Sequence, residues 1–240
     1  MRANPTALTC MLSLVLAGLA GPASAQTGTI NFWWDVCNDV ATPANQNKTF
    51  TGPLVCSQVL SLSNAGDTAE GNDLAISIRS SSHALPDAWR FDAAGCNSSR
   101  AAATVAGVTK LCPPFLGTAA LPVFQFSYDA TTGTGLLQLG VAFDDFHPSP
   151  ATTYTLWQIS YDHAQSVAGP GTPLLTCGGA EGAICFTLVR AFILNGQNAE
   201  VPATVGHGFV TWNDPLATSG CPGSVAAGQV TWGAIKSQYR

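Results

Sequence analysis

Three carboxylates and two histidines stand where catalysis would first be sought. Asp144-Asp145 closes an apolar run with His147 two residues on, and Asp162-His163 closes the next run. Glycoside cleavage needs two carboxyl groups facing each other across the scissile bond. Strand ends that brought Asp145 and Asp162 together would meet that need. The simpler reading is that acidic residues end β runs because they are solvated and begin turns. Asp144, Asp145 and Asp162 are also the candidates for calcium, which takes about six to eight oxygens. No EF-hand spacing or Gly-Asp repeat supports such a site, so no cofactor is expected. A serine hydrolase elbow, Gly-x-Ser-x-Gly, does not occur. The glycine-rich stretches "GPGTP" and "CGGAEGA" lack the Gly-Lys-Ser/Thr ending of a phosphate cradle and read as turns.

Aromatic side chains are the second chemical resource. Of six tryptophans, Trp33, Trp157 and Trp212 are the candidates for a sugar-stacking or partner-binding surface. For each the competing assignment is core, because burying an indole removes a large apolar area from water. Trp33 and Trp34 are adjacent, so in an extended strand they point to opposite faces and cannot form one platform. Trp34 runs with Ile30 and Phe32 and belongs to the core, which leaves Trp33 as the exposure candidate.

Cysteines supply the third. The opening "MRANPTALTCMLSLVLAGLAGPASAQ" has one basic residue, an apolar run from Ala7 to Ala20 and a small-residue ending at Ala23-Ser24-Ala25. This is the order of a secretory signal, residues 1–25, leaving 26–240 as one domain. Gly18, Gly21 and Pro22 break the run too early for a membrane span. Export makes disulfides the first hypothesis for the remaining cysteines. Proximity along the chain suggests Cys37 with Cys56, Cys96 with Cys112 and Cys177 with Cys185, leaving Cys221 unpaired, although sequence cannot fix connectivity. No CxxC is present, and His83, His147, His163 and His207 are scattered, which argues against zinc.

The elements that must position these residues read as strands. Leu74, Ile76 and Ile78 alternate with Ala75, Ser77 and Arg79, the period of a half-buried strand. Two runs flank the turn residues 129–135, with Leu137, Leu139, Val141 and Phe143 on one face, and read as a hairpin. Trp157, Ile159 and Tyr161 share a face. "ICFTLV" is apolar on both faces, as in a central strand, and is followed by Asn195-Gly196, a strong hairpin signal. "HGFVTWNDP" and "GQVTWGAIKSQY" complete the pattern. Asp87 is placed to cap a single helical turn, and Ala101 to Leu121 reads as loop. The fold class expected is all-β: an antiparallel β-sandwich, with a jelly-roll as its variant, stapled by disulfides.

Composition narrows the partners. The formal net charge is -5, only 10% of residues are charged, and there is no basic run. Nucleic acid and anionic membranes need Lys and Arg clusters and are excluded. An ordinary soluble domain is about 25% charged, so this surface is covered by Ser, Thr, Asn, Gly and small apolar side chains. Asn47-Lys-Thr49 and Asn97-Ser-Ser99 match a glycosylation pattern and also fit plain polar loops.

Trp34-Asp-x-Cys37, "NKTF", "ALPDAW", "GAICFTLVRAFIL" and a closing "VTW" together resemble a loose group of secreted bacterial hypothetical proteins sharing that order. The resemblance implies a bacterial, secreted, β-sandwich-like protein and supplies no catalytic residues. Members place a cysteine just after Asn-Lys-Thr-Phe. Here it is delayed to Cys56, which weakens a Cys37 to Cys56 pairing. The function expected is therefore noncatalytic: an extracellular structural or adhesive protein acting through protein contacts, with itself at the cell surface or with another surface partner. The alternative is a carbohydrate-binding or carbohydrate-cleaving module.

Overall fold

The chain turns back on itself most plainly where Leu121–Asp129 (β6) meets Thr134–Phe146 (β7). The Asp129 carboxylate accepts bonds from the Thr132 hydroxyl and the Thr131 amide, both at 2.8 Å, which hold its carboxyl below the usual range. Gly133 closes the turn at φ 66°, a conformation costly for a side-chain-bearing residue. The predicted hairpin is thus formed by the expected turn chemistry. It belongs to a computed structural model that describes residues 28–37, 46–51, 55–82, 84–106, 112–117, 120–166, 177–197, 199–214 and 221. The proposed signal segment, His83, and the second "VTW" with Trp232 lie outside the described residues.

Among the described residues twelve strands form two facing sheets, the disulfide-stapled β-sandwich expected from the sequence. Besides β6 and β7 they are β1 (Thr29–Trp34), β2 (Asn47–Lys48), β3 (Val55–Ser63), β4 (Ala69–Ser80), β5 (Ala101–Thr104), β8 (Tyr154–Asp162), β9 (Ile184–Asn195), β10 (Glu200–Pro202), β11 (Thr204–His207) and β12 (Phe209–Trp212). One sheet runs β11-β1-β3-β8-β5 and the other β2-β12-β9-β4-β7-β6, with β10 pairing with the far end of β9 beyond β12. Most ladders are antiparallel, but β1 with β11 and β12 with β2 are parallel, a departure from a purely antiparallel sandwich. After the Asn195 turn the chain pairs with β9, steps across to β1 as β11, and returns to β9 as β12. This short excursion ties the two sheets together on one side.

Between the sheets lie Ile30, Phe32 and Trp34 of β1, Leu74, Ile76 and Ile78 of β4, Leu137, Leu139 and Val141 of β7, and Trp157, Ile159 and Tyr161 of β8, all essentially buried. These are the faces that period-two alternation assigned to the core. β4 is not half-buried as its alternation suggested, because Ala75 and Ser77 on its outer face are also covered. It is a central strand, and across the ladder Ala75 sits between the longer Gln138 and Arg190. Tyr154 and Leu156 of β8 are buried too, since a register shift between Leu60 and Ser61 opposite them breaks strict alternation.

Three further expectations change. Ala101–Thr104 is a strand rather than loop, because it pairs with Gln158–Tyr161 of β8. Tertiary pairing overrides the weak β-propensity of alanine. Asp87 starts a 3-10 turn, Asp87–Trp89, without capping it by its side chain; Pro86 holds the cap position. The disulfides join Cys37 to Cys112, Cys96 to Cys177 and Cys185 to Cys221, with Cα separations of 6.2, 5.4 and 5.6 Å. Among the described residues Cys56 rather than Cys221 is the free thiol, fully buried in β3 with burial pushing it up to about 12. Each neighbour pairing fails because β strands separate cysteines adjacent in sequence and bring distant ones together.

Candidate functional site

The carboxylates do not converge. Phe146, just past Asp144 and Asp145, packs on Tyr154 at the start of β8 with ring centroids 5.4 Å apart. Asp162 ends that nine-residue strand, so it lies roughly 25 Å away at about 3.3 Å per residue. Asp162 is instead tied to Arg100 at 2.7 Å and accepts the Ala164 amide at 2.8 Å. The pair borders a shallow open groove with Val55, Ser98, Ser99, Ala102 and Ser160, in which Asp162 is the single carboxylate. That groove does not provide the two facing acids of a glycosidase. Among the described residues, no three of His, Cys, Asp and Glu gather to hold a metal ion. The calcium grouping of Asp144, Asp145 and Asp162 is not assembled.

All three candidate tryptophans are covered. Trp157 and Trp212 are fully buried, and Trp33 retains only 8% of its surface. The Trp157 indole donates to Asn72 Oδ1 at 2.8 Å and the Trp212 indole to the Ala180 carbonyl at 2.6 Å, so both are core residues with satisfied N–H groups. Trp33 does point away from Trp34, as strand geometry requires, but its ring stacks on His207 of β11 with centroids 4.0 Å apart. The strand that covers it is separated by some 170 residues of sequence, beyond what local pattern can show. No stacking platform for a sugar is built from these side chains.

The same geometry explains the sequons. Asn97 is fully buried and donates to the Ala88 carbonyl at 2.7 Å and to Ser166 Oγ at 3.3 Å. Asn47 accepts bonds from the Thr211 hydroxyl and the Asp214 amide, both at 3.0 Å. Both serve the fold.

Asn97 belongs to a cluster that sequence reading missed. His163 is fully buried among Trp89, Phe91 and Trp212, with ring centroids 4.4, 6.2 and 5.6 Å away. Among the described residues neither of its ring nitrogens has a hydrogen-bond partner, nor do Trp89 Nε1 and Asn97 Oδ1. Burial lowers the imidazole pKa to about 4, with the Asp162 charge pulling the other way. Because the unfolded chain binds the proton near pH 6.5 and the folded chain near 4, stability is full above pH 6.5 and falls as pH drops through that window. The loss amounts to about 3 kcal/mol. Urea unfolding at pH 7.5 and 4.5 should show it, and His163→Leu should flatten that part of the pH slope. An unchanged slope in the variant would contradict the assignment.

With enclosed chemistry accounted for, the sheet borders remain. β11 and β5 bound one sheet, and β2 and β6 the other. β2 is two residues long and carries Lys48, while β5 and β11 have four residues each. β6 is nine residues long. Phe124, Phe126 and Tyr128 pack against the core from it, which fixes its extended backbone. None of its residues is fully buried, and Leu121 is 72% exposed. From Leu121 to Tyr128 it carries no ionisable carboxylate, ammonium or guanidinium group. Native edge strands are usually blunted by brevity, charge, proline or a covering element. β6 has Pro122 near its start and Asp129 at its end; between them its outer backbone groups pair with no strand among the described residues, and β5 of the other sheet passes close beside it without hydrogen-bonding to it.

The sequence matches no family model and no curated protein. Among solved structures, a type II cohesin domain from the cellulosome of Acetivibrio cellulolyticus is similar over 78% of this chain and 95% of that one, at 11% identity and a TM-score of 0.39. A non-cellulosomal cohesin from the archaeon Archaeoglobus fulgidus is similar over 77% and 89%, at 10% identity and a TM-score of 0.35. A cohesin module from a Clostridium perfringens family 33 glycoside hydrolase covers 77% and 94%, at 9% identity and the same TM-score. Likenesses this distant transfer neither partner nor role.

Proposed function

We propose that this chain is a noncatalytic extracellular protein that works through protein contacts, as a structural or adhesive element of the cell surface. The observation that carries the reading is the β6 border: a long, pre-formed strand edge, uncharged from Leu121 to Tyr128, whose outer backbone groups have no strand partner among the described residues. Such an edge recognises another protein strand by main-chain hydrogen bonds, with alternate side chains adding selectivity. The charge-poor composition supports it, since few ionic groups must be stripped of water when the surface is covered. Three disulfides joining cysteines 36 to 81 residues apart suit an exported protein that must persist in an oxidising environment.

The test is co-sedimentation of mature protein, residues 26–240, with washed cells of the producing organism, alongside the protein alone, from about 1 μM to about 500 μM. The reading predicts either cell-bound protein or self-association within that range. Protein that stays unbound and monomeric throughout would contradict it.

A further inference from the structure

Resting on that contact reading, we infer that the occupant of the β6 edge is β6 of a second copy, paired antiparallel about a two-fold axis through Gln125. The strand is self-complementary in this register. Gln125 meets its own counterpart, Phe124 stands opposite Phe126, and Val123 stands opposite Ser127. Phe124 and Phe126 pair with Leu139 and Leu137 of β7 and pack on the core side, so the two-fold joins the aromatic rows of both copies into one layer. Val123, Gln125 and Ser127 fall on the opposite face and meet without any charged group.

Charge selects this occupant. The whole molecule is acidic, so two copies repel in general and need a contact free of like charges. Like charges directly opposite destabilise a strand pair, while aromatic pairs stabilise it. The β6 centre satisfies both conditions. The other borders do not: β2 carries Lys48, and β5 and β11, four residues each, carry no Phe, Tyr or Trp to pair. Isologous pairing also closes: each copy uses its β6 edge once, so a dimer forms rather than a filament.

The experiment is sedimentation velocity on mature, disulfide-bonded protein from about 1 μM to about 500 μM. It compares wild type with Gln125→Lys, which puts two ammonium groups face to face at the axis, and with Val205→Lys on the β11 border as control. The wild type should be dimeric at the upper end, Gln125→Lys should dissociate at least about tenfold more readily, and Val205→Lys should match wild type. Gln125→Cys adds a readout independent of any loss of folding: its thiols should link two copies covalently without reductant. A wild type that is monomeric throughout overturns the inference, while cell binding would leave the contact reading standing. Dimers unaffected by Gln125→Lys, or wild-type dimers whose Gln125→Cys counterparts do not cross-link, overturn the β6 register and keep self-contact through another surface.

Discussion

Replacing Arg190 with methionine should destabilise the protein by about 3–5 kcal/mol, because it strands a buried charge. Asp73 lies on the outer face of β4 with only 1% of its side chain exposed, and Arg190 Nε donates to it at 2.8 Å. The same guanidinium donates to Glu200 of β10 at 2.6 Å and lies over the Phe192 ring at 4.4 Å. Burial raises the Asp73 carboxyl above its ordinary range, and the hydrogen bond and charge of Arg190 offset part of that shift. One arginine therefore ties β4, β9 and β10 together. Adding Asp73→Asn to the Arg190→Met variant should recover much of the loss, since the amide carries no charge to strand. Denaturant titration of the two variants and wild type checks this. Equal loss in the single and double variants would show that packing, not the uncompensated carboxylate, sets the cost.

Removing the Cys96 to Cys177 link should cost a similar amount, about 4.5 kcal/mol by the chain-entropy estimate for a loop of this length. The bond spans 81 residues. It holds the segment carrying Trp89 and Asn97 against the one carrying Ala180, whose carbonyl accepts the Trp212 indole. Breaking it as Cys96→Ala/Cys177→Ala releases both walls of the His163 enclosure. The melting temperature should fall by about 10–15 °C for a chain of this size, and the acid sensitivity assigned to His163 should weaken as water reaches the imidazole. A drop of only a degree or two would mean that the aromatic packing holds the enclosure without the bond.

Local pattern revealed much of the fold. Alternation picked out the inner faces of β1, β4, β7 and β8, and the residues after Asp129 and at Asn195 marked two turns. These signals operate over a few residues, where side-chain direction and permissive dihedrals decide structure. What escaped depends on distant partners. The cysteine pairs span 75, 81 and 36 residues, β5 exists because β8 offers an edge, and Trp33 is covered by a histidine far along the chain. The candidate site suffered more than the fold for the same reason. Asp145 and Asp162 both end strands, as read, but at opposite ends of β8. The β6 border was legible as a strand and illegible as an edge, because sheet order is a property of the whole chain.

The central claim, that this protein acts by contact through β6, is tested most directly by hydrogen–deuterium exchange of the β6 backbone at low and high protein concentration. In dilute solution the free-edge amides between Leu121 and Tyr128 should exchange quickly, as unpaired border groups do. At high concentration they should become protected, while the amides of β11, Thr204–His207, on the far border of the other sheet, keep the same rate. Protection of β6 that does not change with concentration, or that changes equally at β11, would contradict the account.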